Sequence, residues 1–406
     1  MRRTRIAVLL AAGLLAGCSA SGTATAHGRK VPGTDPTDFH HAAADPSAQA
    51  DDLVSVSTVA KHLNIPWGLS FLPDGDALVT ERSTQRILRV TPRGVVTPVA
   101  RVPEAVSDNE GGLLGIAVSP EYKSDKTVYV YYTTRDDNRV ARLRLDGRSR
   151  VRPILTGIPK SGIHDGGRLM FGPDGYLYAT TGEASRTEAS QDLHNLGGKV
   201  LRMTTDGKPP PGNPFPHSLI WTYGHRNPEG IAWDAAGTMY ESEIGQAVWD
   251  ELNVLRPGGN YGWPQVEGIG GKRPYIDPIV AWHPEVGVAS GVAIMNGTAI
   301  VTCLRGQRIY LVPLGKPPSA APNARARRDA SPTDPPGPPA SVRWRAEGGV
   351  AARPMEALFE RYGRLRTAIN APDGSVWITT SNRDGRKPGG PDPDDDRILR
   401  LAMREQ

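Results

Sequence analysis

The stretch Ser161 to Ser185, "SGIHDGGRLMFGPDGYLYATTGEAS", reads as a turn feeding two short strands, Leu169-Met170-Phe171 and Leu177-Tyr178-Ala179-Thr180, with Pro173-Asp174-Gly175 as the turn between them. His164 and Asp165 have no part in that pattern; they stand at the strand entrance, just ahead of Gly166-Gly167. An imidazole titrates near neutral pH, so a histidine beside a carboxylate and away from the packed sheet is a candidate general base. The starts of similar apolar strands elsewhere carry Pro66-Trp67, Asn109-Glu110, Arg226-Asn227, Ser290, and Arg364 with Arg366. Together these positions hold one imidazole, carboxylates, amides and three guanidinium groups. Such a surplus of cations suits an anionic ligand, because the arginine fork pairs bidentately with carboxylates. Asp165 is expected to orient its turn, and Gly166-Gly167 to let the backbone approach a flat ligand closely.

These positions become comparable because the chain repeats itself. "PWGLSFLPDGDALVTERSTQRILRV" gives an apolar strand, a Pro-Asp-Gly turn, a second strand, a polar loop and a third strand, and the order recurs from Gly111, Gly166, Pro228, Ala289 and Arg364. Repeats spaced by roughly 45 to 80 residues, with all-β content and no long amphipathic pattern, predict a six-bladed β-propeller of four-stranded antiparallel blades. The polar stretch 51–65 is expected to supply the outer strand that closes the ring with the last repeat. In a propeller the first strand of each blade lines the central channel, so the residues before those strands converge at one face.

At this point the chain resembles the soluble quinoprotein glucose, aldose-sugar and sorbosone dehydrogenases, which are six-bladed propellers using pyrroloquinoline quinone. The resemblance spans about residues 55–402 and rests on "EGGLLGIAVSPEY", "HDGGRLMFGPDGYLYATTGEAS", "GGKVLRM", "YGHRNPEGIAWD", "DELNVLRPGGNYGWP", "LRGQRIYLVPL" and "GRLRTAINAPDG" with "DDRILRL", in that order. It implies that His164 takes the proton from the C1 hydroxyl of an aldose as hydride passes to the quinone, giving the lactone. It implies cofactor contacts from Glu110, Arg226, Asn227, Arg305, Arg364 and Arg366. It also implies two calcium ions, one on the backbone carbonyls of Gly245 and Gln246, the other on Glu251 and the backbone of Tyr261. Two positions depart from the family pattern: Ile244 stands where a Gln or His is usual, and Glu110 where a Gln is common. A carboxylate beside an anionic cofactor lowers affinity unless a cation offsets it. The residues themselves leave two other readings open, a calcium-dependent propeller hydrolase of the lactonase type and a non-catalytic propeller that binds carbohydrate or protein.

The rest of the chain concerns placement. Arg2, Arg3 and Arg5 precede the apolar run Ile6 to Leu15, and Leu15-Ala16-Gly17-Cys18 resembles a bacterial lipobox, which predicts a signal over residues 1–17 and lipidation of Cys18. Without the signal the net charge of +5 falls to about +2. The expected setting is the outer face of the cell membrane, with a lipid anchor as the sole membrane attachment and the electron acceptor unknown. Residues 18–50 read as a disordered tether, and 315–341 as an insertion of the same character; its arginines lack the aromatic neighbours that stack on bases, so no nucleic-acid partner is expected. Cys303, in an apolar run, is expected to be a buried thiol, and "DPDDDR" at 392–397 a solvated acidic loop. With 46 Gly and 37 Pro, about a fifth of the chain, turns outnumber long regular elements.

Overall fold

Alternating apolar residues and Pro-Asp-Gly turns generate short antiparallel strands. In the computed structural model, which describes residues 50–147, 150–315, 341–345 and 349–404, these form six sheets. The first blade runs through Pro66–Phe71, Ala77–Glu81, Arg86–Val90 and Val96–Arg101, and the second through Leu113–Val118, Thr127–Thr133, Asn138–Arg144 and Arg152–Ile158. The third comprises Leu169–Phe171, Leu177–Thr181, Lys199–Met203 and Ile220–Tyr223. The fourth holds Pro228–Trp233, Met239–Glu243, Asp250–Leu255 and Val280–Trp282, and gains a fifth strand, Val342–Trp344, from beyond the insertion. The fifth contains Ala289–Met295, Thr298–Cys303, Ile309–Pro313 and Met355–Ala357. The sixth joins Leu365–Asn370, Val376–Thr380 and Ile398–Met403 to Val54–Ala60, so the expected closing strand is in place, with Val54 opposite Met403. Cys18, the signal, nearly all of the tether and most of the insertion lie outside the described residues.

The turns follow the chemistry of their residues. Gly75, Gly175 and Gly374 take φ of 91°, 78° and 82°, and the Asp74 and Asp373 side chains accept hydrogen bonds from the backbone N–H two residues on.

Around the axis a recurring device sets how tightly the inner strands meet. A Cβ on Gly68 would lie 2.5 Å from the Leu114 carbonyl oxygen, and on Gly230 2.6 Å from that of Ser290; on Gly291 it would lie 2.5 Å from both the Arg366 oxygen and the Ala368 nitrogen. A hydroxyl from the second strand then donates across the gap: Thr80 to the Leu114 carbonyl, Ser242 to that of Ser290 and Thr302 to that of Arg366. Thr367 closes the circle by donating to the Trp67 carbonyl. Four of the six junctions between inner strands are tied in this way, and the residues before the strands are brought together at the channel mouth. Apolar cores fill the spaces between adjacent blades, and Cys303 is buried in one of them.

Replacing Gly291 by Ala forces a methyl against two backbone atoms that cannot move independently. The expected loss is roughly 1 to 3 kcal/mol of stability, read as a lower urea midpoint, and an unchanged midpoint would refute this account of the axis.

Candidate active site

His164 lies in the connection from the outer strand of the second blade to the inner strand of the third, with φ of 61°. Left-handed backbone is unusual for a histidine and needs outside support. Its N–H donates to Glu110 Oε2 at 2.8 Å, and its carbonyl accepts from the Ala184 N–H at 3.1 Å. The ring is gripped from both sides. Nδ1 lies 2.5 Å from Glu183 Oε1, and Nε2 lies 2.8 Å from Arg226 Nη2. A guanidinium can only donate, so Nε2 is an acceptor and the ring proton sits on Nδ1, directed at Glu183. The result is a neutral imidazole with its basic nitrogen turned toward a cation and a buried carboxylate behind it.

Asp165 does not contact that ring. It is buried, with Oδ1 accepting from Asn138 Nδ2 at 2.9 Å and from the Ser161 N–H at 3.3 Å, while Oδ2 has no partner. Burial pushes its carboxyl up to about 6. It orients the turn, as expected. The protein's own packing also requires the two glycines: a Cβ on Gly166 would lie 2.6 Å from the Gly182 nitrogen, and one on Gly167 2.7 Å from Leu114 Cδ1. Protein packing, before any ligand, excludes side chains there.

The remaining predicted residues fall into two groups. Arg226 reaches past His164 to the fourth blade, where Nη1 donates to the carbonyls of Ile244 at 2.9 Å and Gly245 at 2.6 Å. Asn227 is buried and accepts from the Gly166 N–H at 2.9 Å. Arg364 pairs with Asp384 at 3.1 Å, and Arg366 with Glu229 at 2.8 Å. Glu229 also accepts from Ser290 Oγ at 2.5 Å, so the sixth, fourth and fifth blades share one polar floor under the mouth. Arg168 completes that floor; it stacks over Trp67 and donates to the Glu229 carbonyl, and burial pulls it down to about 9. Arg305, by contrast, is exposed in the loop after Thr298–Cys303 and has no hydrogen bond or ion pair with any described residue.

Glu110 is not left as an uncompensated charge. Arg386, from the sixth blade's loop, pairs with Glu110 Oε1 at 2.8 Å and with Asn109 Oδ1 at 2.7 Å. Burial opposes ionisation, but the His164 N–H and Arg386 hold the carboxyl below its usual range. Ile244 likewise acts through its backbone alone, since its N–H donates to the Asn227 carbonyl and its oxygen accepts from Arg226.

At the predicted calcium positions, Gly245, Glu251 and Tyr261 line one small cavity with Arg226, Glu243 and Glu267. Gln246 is exposed, and the N–H groups of residues 246 to 249 all point at Glu267 Oε1, at 2.9 to 3.3 Å. Glu251 is buried beside Glu241, Glu243 and Asn253, with Glu241 Oε1 and Asn253 Oδ1 unpartnered. Burial, then the neighbouring Glu243 charge, pushes Glu251 up to about 8. His225, Glu241 and Glu243 bring ligand atoms within 4.8 Å of one another. Buried, crowded carboxylates with free oxygens are the donor set of a hard cation. Tyr261 stacks on His225 with ring centroids 4.8 Å apart.

Comparison with known proteins places the chain in a family. The glucose/sorbosone dehydrogenase family model matches residues 63–314. The chain belongs to that family. It is 33% identical over 363 residues to the aldose sugar dehydrogenase YliI of Escherichia coli, covering 82% of this chain and 91% of the relative. With quinoprotein glucose dehydrogenase B of Acinetobacter calcoaceticus it shares 35% identity over 250 residues, spanning about half of that protein at 52%. Among solved structures, the PQQ-bound aldose sugar dehydrogenase of Streptomyces coelicolor is 42% identical, with a TM-score of 0.76 over 87% of this chain and 99% of that one. As a glucose/sorbosone dehydrogenase family member, the chain is an oxidoreductase.

Glu183, Glu229, Asp384 and Arg386 were not among the residues the sequence singled out. All but Glu229 follow the second strand of their blade, where "TGE" and "SNRDGR" carry no distinguishing pattern.

Two outcomes follow from the geometry. Glu183→Gln takes away the buried charge that fixes the Nδ1–H tautomer of His164, so kcat should fall at least about 100-fold with KM little changed; steady-state kinetics decide. For Asp165 the folded carboxyl holds its proton up to about pH 6, against about 4 in the unfolded chain. The folded state therefore binds more protons in that window, and stability falls as pH rises through it. Asp165→Asn removes this loss, so its stability gain over the parent should widen from pH 4 to pH 6 and stay flat above, as measured by urea unfolding; a pH-independent gap would refute it.

Proposed function

We propose that this protein oxidises an aldose-type sugar at its anomeric carbon to the lactone, with pyrroloquinoline quinone and calcium as cofactors and His164 as the base. The observation that carries the reading is the orientation of His164, whose acceptor nitrogen faces an arginine-rich channel mouth while Glu183 fixes the tautomer.

The residues present fit an anionic quinone. Arg82 Nε and Arg226 Nε are buried donors without partners at the mouth. The bound quinone would supply the two-electron acceptor for hydride from C1. The residues also fit calcium, which would supply a Lewis acid near the quinone oxygens and a counter-charge for the buried glutamates. The backbone carbonyls of Gly245 and Gln246 would hold the first ion, and Glu251 with the backbone of Tyr261 the second, beside the unpartnered Glu241 Oε1.

The chain's own groups divide the remaining work. His164 Nε2 receives the proton of the C1 hydroxyl as C1 loses hydride, and the resulting imidazolium is stabilised by Glu183. Glu110 and the Ala184 N–H keep the imidazole backbone in its left-handed turn, and Arg386 keeps Glu110 ionised. Arg226 must release Nε2 when substrate enters, and it has the Ile244 carbonyl to hold it nearby.

Purified protein loaded with calcium and the quinone should reduce an artificial dye with at least one member of a broad aldose panel, lose this on chelation, and lose about 100-fold or more of it in His164→Ala. Inactivity across the panel would defeat the assignment, and full activity of the variant would defeat the base.

A further inference from the structure

The mouth of the channel carries four guanidinium groups from the first and sixth blades, Arg82, Arg364, Arg366 and Arg386, facing the carboxylates of Asp384, Glu110 and Glu229. Three of the arginines have acidic partners: Arg364 with Asp384, Arg366 with Glu229, and Arg386 with Glu110. Arg82 has none. Its side chain forms no hydrogen bond with any described residue, its Nε is a buried orphan, and the residue is only 5% exposed. The adjacent Glu81 is not its counter-ion, because that carboxylate takes Arg86, Thr84 and the Asn64 N–H.

Arg82 is also held rigidly. It directly follows the strand Ala77–Glu81, its N–H donates to the Ile65 carbonyl, and its carbonyl accepts from the Leu113 N–H. Its Cγ lies where a side chain on residue 112 would be, since a Cβ on Gly112 would come within 2.6 Å of it. Desolvation, then repulsion from Arg366, pulls its guanidinium down to about 10, so it remains a cation at neutral pH in surroundings that disfavour one. The Asp384 and Glu110 charges offset this only in part, so a buried, fixed cation with no ion pair of its own gains further from an anion arriving from outside.

We propose that Arg82 is an anion-binding residue of the channel mouth, whose ligand is a carboxylate group of the quinone cofactor. The assignment rests on the quinone reading of the site. A guanidinium held by its backbone presents a ready fork to a planar carboxylate, and the rigidity of Arg82 means little ordering is needed on binding.

The test is a titration of calcium-loaded parent, Arg82→Gln and Arg82→Lys with pyrroloquinoline quinone, followed by tryptophan fluorescence, alongside the thermal midpoint of each protein without quinone. The parent should bind; the Gln variant should bind at least about tenfold more weakly, and the Lys variant between the two. Without quinone the Gln variant should melt at or above the parent, because an unpaired buried charge has been removed. Binding by the Gln variant within about twofold of the parent overturns the role of Arg82 alone, and so does a clearly lowered midpoint, which would make the residue structural. Failure of the parent to bind overturns the quinone reading and this assignment with it.

Discussion

At four of the six inner strands the neighbouring backbone comes so close that a Cβ has no room, and most else in the molecule follows from that approach. Glycines at 68, 115, 230 and 291 permit it, and hydroxyls from the second strands bridge it. With the strands so close, the channel has a floor of buried side chains, Trp67, Arg168, Glu229, Ser290 and Arg366, and chemistry is confined to the loops above. The loops can differ freely because the floor does not. That separation explains how a repeat of nearly uniform strands presents an imidazole at one entrance, a guanidinium at another and an acid at a third.

Electrostatics at the mouth is a matter of pairing within low-dielectric surroundings. Most acids there are bound to an arginine or to backbone N–H groups, so their charges are local and directed. The departure at Glu110 belongs to the same logic. A carboxylate in place of an amide would repel an anionic cofactor by itself, but here it arrives together with Arg386 and Asn109, and the pair braces the backbone of His164. Ile244 shows the other kind of tolerance, a changed side chain on a backbone whose carbonyl does the work.

Much of this was legible in the sequence, for definable reasons. The blades were readable because period-two strands and Pro-Asp-Gly turns recur in fixed order, and His164 stood out because its position lies off that pattern. Glu183 and Asp384 were not readable: each follows a second strand, and nothing local distinguishes it from a loop acid on the surface. The acidic run at 392–397 misled in the opposite direction. It reads as solvated, yet Asp395 and Asp396 are fully buried, and Asp396 accepts from the N–H groups of Ile65, Asn382 and Arg383, partners that sequence distance conceals. The strand Val342–Trp344 was hidden by the insertion before it, which makes its blade neighbour seem remote.

The seam of the ring sets an order in time. Val54 pairs with Met403, and the Arg404 N–H donates to the Leu53 carbonyl, so the last strand joins the first across almost the whole described chain. Contacts of such long sequence separation form slowly, after local hairpins have assembled. The inner strands of the first and sixth blades meet across a similar separation, through Thr367 and the Trp67 carbonyl, so the groups these two blades bring to the mouth are joined by non-local contacts rather than local ones. The mouth is therefore whole only where the sixth blade, which carries Arg364, Arg366 and Arg386, stands against the first, second and fourth, so a ligand held there would also hold the ring closed.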